Sequence, residues 1–153
     1  MPRKKRITKK VLFAKTVEIL KPYLTLTDWK IMVRYSSRMK AAADCDASPE
    51  YKEALIRLNT GMLPDLTHYE VVSVAVHEMI HCIVWPLADY TEDLCKKDAQ
   101  RLEMSRKIEE GVVTTLERAI MNIVTEVLMG HLTKEGYASI DLTPVEMTIS
   151  HDY

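Results

Sequence analysis

The stretch Val74-Ala75-Val76-His77-Glu78-Met79-Ile80-His81-Cys82-Ile83-Val84-Trp85 narrows what this chain can fold into, because it sets H-E-x-x-H inside an apolar run. Positions four apart lie one turn apart on the same face of a helix, so His77 and His81 can direct two imidazole nitrogens at one ion. Glu78 then stands beside that ion rather than on it. Two neutral imidazoles and a carboxylate suit Zn2+, and a site with one position left for water suits hydrolytic chemistry. Water held there acidifies toward pH ~7, and a neighbouring carboxylate can collect the proton as a general base. Val71, Val72, Ala75, Met79 and Ile80 imply that much of this helix is buried, where three ionisable side chains require partners.

The motif helix is punctuated at both ends. Thr67-His68-Tyr69-Glu70 fits a capping box, Leu66 and Val71 stand where a hydrophobic staple would, and Pro86 is expected to close the helix. Upstream, Val11, Leu12, Phe13, Val17, Ile19 and Leu20 recur at helical spacing between Thr8 and Pro22, which predicts a first helix packed on a sheet. From Trp29 the period changes to two. Trp29, Ile31, Val33 and Tyr35 share one face of a half-buried strand. A short second strand is expected within Met39 to Asp46, and a third over Tyr51 to Asn59 with Ala54, Ile56 and Leu58 on one face. Helix is a rival reading of that third segment, since Lys, Glu, Ala and Leu favour it. Thr91 to Met129 has helical propensity throughout, with a bend or loop expected in Ser105–Gly111 because glycine costs about 1 kcal/mol inside a helix. Gly130 is expected as its C-cap.

A chain of 153 residues, 47% apolar and 28% charged, has the length and composition of one domain with a real core. Its formal net charge of −1 hides a basic beginning: Arg3, Lys4, Lys5, Arg6, Lys9 and Lys10. Residues 1–7 read as a basic disordered arm, 8–130 as the domain, and 131–153 as a tail packed on or near the cleft. Such an arm fits nucleic acid, an anionic surface or an acidic partner, and is more often a solvated end. Cys45, Cys82 and Cys95 are odd in number and lack C-x-x-C spacing, so they read as reduced thiols in a cytosol-like compartment. No signal-peptide core follows the basic arm and no run approaches 18 apolar residues, so the expected location is cytoplasmic, without a membrane span.

Two histidines need a further ligand. Val112, Val113, Leu116, Ala119, Ile120, Ile123, Val124 and Val127 define an apolar face at 100° per residue, with Glu109 near its centre and Glu110 toward its edge. A carboxylate in the middle of a buried face is costly unless paired, which makes Glu109 the first choice and Glu110 the alternative.

His77-Glu78-Met79-Ile80-His81 followed by Glu109-Glu110-Gly111-Val112-Val113-Thr114-Thr115-Leu116 resembles the gluzincin metallopeptidases, most of all the minimal bacterial and phage-type proteins that keep only a thermolysin-like core. The Trp29-Lys30-Ile31-Met32-Val33 segment adds a weaker match to the same order of elements. The resemblance implies an α+β, zincin-like fold: a small twisted mixed sheet on the H-E-x-x-H helix and a long C-terminal helix carrying the glutamate. It further implies peptide-bond hydrolysis with Zn2+ on His77, His81 and Glu109 or Glu110, with Glu78 activating water and a strand, here Tyr51 to Asn59, holding a protein or peptide substrate. The aspartate that such enzymes place four residues after the ligand glutamate has no counterpart, since Val113 and Thr114 stand there. Tyr90, His131 and Tyr137 are the candidates for an oxyanion-stabilising group.

Two other readings stay open. The SprT-like, DNA-associated proteases also use H-E-M-I-H, but they take a third histidine after the helix, and none occurs here between His81 and His131. A zinc-binding regulatory module without catalysis is the other. The end Ile149-Ser150-His151-Asp152-Tyr153 offers a histidine and carboxylates for self-inhibition at the cleft, against the plainer reading of a flexible tail.

Overall fold

The computed structural model describes residues 4–144 and orders them as α1 (Lys9–Leu20), β1 (Lys30–Ser36), β2 (Ala43–Ser48), β3 (Glu53–Asn59), α2 (His68–Cys95) and α3 (Ala99–Lys134). The architecture is α+β, a three-stranded mixed sheet with three helices. β3 is central, parallel to β1 and antiparallel to β2, so both outer strands are edges. Register places Val33, Ile56 and Cys45 in one row and Tyr35, Leu58 and Ala43 in the next. Period-two alternation therefore sends Ala54, Ile56 and Leu58 to the core while Glu53 pairs outward with Lys30. The strand reading of this segment holds and helix does not.

α2 is the central helix. Its capping box forms as the sequence predicts: Thr67 Oγ1 accepts from Glu70 N at 3.1 Å, and Thr67 N donates to the Glu70 carboxylate at 2.6 Å. Val71, Val72, Ala75, Val76, Met79 and Ile80 are essentially fully buried, the larger of them contributing about 1.5–3 kcal/mol each. An 18-residue window of α2 is long and apolar enough to span a bilayer, but half of that window is buried within this fold. α1 packs along α2 and also touches the sheet, where Tyr35 OH of β1 donates to Lys10 O at 3.3 Å.

Expectations at three helix positions are corrected. Pro86 does not end α2, which continues to Cys95; the missing N–H costs a hydrogen bond to Cys82 C=O, but beyond this point the helix runs mostly outside the core. Gly111 and Gly130 sit inside an unbroken 36-residue α3, neither interrupting nor capping it. Part of the N-terminal arm is held in place: Lys5 pairs with the segment at Tyr137 through Lys5 N to Gly136 O at 3.1 Å and Ala138 N to Lys5 O at 2.9 Å, and Ile7 is buried.

Candidate metal centre

α2 and α3 run side by side, joined by the short Lys96–Asp98 connection, so the middle of α2 faces the middle of α3. The side of α3 that meets α2 reads Glu110, Val113, Glu117, Met121, Val124, Leu128, a 3-4-4-3-4 spacing spanning about 80° of arc. Val113, Met121, Val124 and Leu128 on that stripe are buried. Its two acidic positions therefore point at His77 and His81.

The ring nitrogens meet different carboxylates. His77 Nε2 and His81 Nε2 lie 3.3 Å apart, and each is 3.4 Å from an oxygen of Glu110. These three residues form a group with metal-ligand spacing. The first choice of the sequence reading, Glu109, stands elsewhere: it accepts from His81 Nδ1 at 3.1 Å. Glu117 does the same for His77, with Nδ1 at 3.1 Å from its Oε2, and Ser73 Oγ donates to the other oxygen of Glu117. Glu110, the alternative, is thus the donor facing the ion position, and Glu109 and Glu117 hold the rings behind it. The reason lies in the face: Val112, Leu116 and Ile123, which had centred the apolar arc on Glu109, are 42%, 41% and 64% exposed.

A tetrahedral ion with bonds of about 2.0–2.1 Å keeps its ligand atoms roughly 3.3–3.4 Å apart. The Nε2–Nε2 separation matches that spacing, as does the distance from each Nε2 to one oxygen of Glu110, and Nδ1–H donation to Glu109 and Glu117 leaves both Nε2 lone pairs free to coordinate. The donor set therefore fits a divalent metal that accepts nitrogen and oxygen.

Glu78 is 6% exposed and lines the same cleft, and burial pushes its carboxyl up to about 7 despite the opposing pull of His77. The hydrogen bond to Glu117 raises the His77 imidazolium above its ordinary range, with burial acting the other way. For Glu117, burial alone would raise the carboxyl, but the hydrogen bonds from His77 and Ser73 prevail and it is lowered.

The cleft, about 500 Å³, is walled by Ala41, Ala43, Asp44 and Cys45 from β2 and the turn before it, and by Trp85, Arg106, Glu109 and Glu110 from the helices. The strand beside the ion position is β2, an edge, and not the Tyr51–Asn59 strand, which is central and paired on both sides. Tyr90, His131 and Tyr137 do not line the cleft; His131 Nε2 instead meets Tyr23 OH at 3.3 Å. The terminal Ile149–Tyr153 lies outside the described residues. The sequence reading missed Glu117, which its place two turns after Glu110 on one stripe would have revealed. Comparison with protein-family models, with curated proteins and with solved structures gives no match to this chain.

Proposed function

We propose that this chain is a zinc-dependent metallopeptidase of the gluzincin type, with zinc held by His77, His81 and Glu110. The observation that carries the reading is the convergence of two Nε2 atoms, 3.3 Å apart, on the Glu110 carboxylate, which sets a different oxygen 3.4 Å from each, opening on a cleft that also holds the buried Glu78. When bound, such an ion supplies Lewis acidity, polarising a carbonyl and acidifying water from about 16 toward ~7.

The protein's own groups do the rest. Glu109 and Glu117 fix the tautomer and tilt of both imidazoles, so the donors are aimed before a ligand arrives. Glu78, with a carboxyl near neutrality, is matched to accept a proton from water and return it to a departing amine. The free edge of β2 offers main-chain donors and acceptors to an extended peptide, which would align its backbone along the cleft wall. The SprT-like alternative gains no support, because the donor facing both Nε2 atoms is a carboxylate from α3.

The deciding experiment pairs wild type with Glu78→Gln on an unstructured protein such as casein. Zinc-loaded wild type should cleave it and lose that activity to a chelator, while the variant keeps its zinc and falls about 10²–10⁴-fold in rate. Silence of fully zinc-loaded wild type toward casein and a peptide library would favour a metal-binding module instead.

A further inference from the structure

We propose that Cys45 and Cys82 are a reversible disulfide pair, an oxidant-sensitive latch joining edge strand β2 to the helix that carries the two histidines. The residues are 37 apart in sequence, yet the fold brings their Sγ atoms to 3.6 Å. Cys82 is buried, 1% exposed, and directly follows His81. Cys45 is half-buried in the row of β2 that faces Ile56 and lines the cleft, so a small oxidant entering the cleft meets this sulfur first. A disulfide needs the sulfurs at about 2.05 Å, a closure of roughly 1.5 Å. Small side-chain rotations and an outer strand paired on one side only can supply that movement. The inference rests on this geometry and is independent of the hydrolase reading.

With hydrogen peroxide as the oxidant the step balances. One thiol sulfur takes a hydroxyl from the peroxide and the remaining hydroxide leaves with the thiol proton as water, giving a sulfenic acid. The second sulfur displaces the sulfenic hydroxyl, which departs with the second thiol proton as another water, and the S–S bond forms. The two cysteines together lose two electrons and the peroxide gains them. A dithiol reverses the reaction by exchange.

The test treats the reduced full chain with one equivalent of hydrogen peroxide at neutral pH, followed by peptide mass mapping without reductant. The expected product is a linked pair of peptides containing Cys45 and Cys82, about 2 Da lighter than their sum and separated again by dithiothreitol. Because the bond closes a loop of 37 residues, Tm should rise by roughly 5–10 °C in wild type and in Cys95→Ser, and not in Cys45→Ser. Free thiols at both positions in the treated folded protein, separate sulfinic acids on the two, or an equal Tm rise in Cys45→Ser would each overturn the proposal.

Discussion

Glu117 accepts a hydrogen bond from Nδ1 of His77 at 3.1 Å, which turns Nε2 of that ring toward His81 and Glu110. The pair links metal affinity to pH. The raised pKa of His77 means that, in the metal-free protein, this contact stabilises the fold fully below about pH 6.5 and fades as pH rises through the higher folded value. A metal competes with the same proton, so uptake should weaken as pH falls through that value. Glu117→Gln keeps an acceptor for Nδ1 but removes the charge. It should move the midpoint of metal uptake to lower pH and cut affinity at pH 8 about 10–100-fold, measured by competition with a chromophoric chelator. An unchanged midpoint and plateau would remove Glu117 from the site.

The two adjacent glutamates separate in the same assay. Glu109→Ala leaves the three facing donors in place and frees only His81 Nδ1, so affinity should fall about 10–100-fold. Glu110→Ala removes a donor outright and should fall further, with elemental analysis showing little retained metal after dialysis. The opposite ranking would restore Glu109 as the ligand.

Why periodicity found the histidines and misjudged the glutamate is a matter of which groups face the core. His77 and His81 are fixed by four-residue spacing alone, and the capping box at Thr67 and Glu70 is local chemistry, so both are legible without tertiary information. The face of α3 is not. Its N-terminal turns meet the outer end of α2 around an apolar groove of about 330 Å³, and Val112, which the pattern places in a core, lines that groove with Met104 and Ile108. Pro86 misled for a related reason: local chemistry ends a helix there, but the turns beyond it are held against α3 by Ser105 Oγ donating to Thr91 Oγ1 at 2.9 Å and by the Arg106–Glu92 pair. The Cys45–Cys82 contact joins a strand to a helix, and spacing carries no trace of it.

Asn59 should matter more than a loop-end residue normally would. It is 3% exposed; its Nδ2 donates to Met39 O at 2.9 Å and Ala41 O at 3.0 Å, and its Oδ1 accepts from Gly61 N at 2.9 Å. One side chain thus pins the turn before β2, including Ala41 on the cleft wall. Asn59→Leu leaves two carbonyls and an amide short of a partner and should destabilise by about 2–3 kcal/mol. Denaturant unfolding should show a lower midpoint with an unchanged slope. Stability within about 0.5 kcal/mol of wild type would mean that water satisfies those groups and that the turn does not depend on Asn59.

Gly111→Ala tests the continuity of α3 at the point where the sequence suggested a break. In an unbroken helix, glycine costs about 0.5–1 kcal/mol relative to alanine, chiefly because the unfolded chain has more freedom to lose. A β-carbon built at Gly111 meets nothing within 4 Å, so no clash offsets the gain, and the same holds at Gly130. Each substitution should raise stability by roughly 0.5–1 kcal/mol, or about 1–4 °C in Tm, and the two should add because they lie far apart along the helix. Since Gly111 follows Glu110, metal affinity of Gly111→Ala is the more sensitive reading: helical backbone at this position predicts no change. A loss of stability at Gly111 alone, with the gain retained at Gly130, would mean that the chain bends there after all and that Glu110 reaches the histidines from a turn.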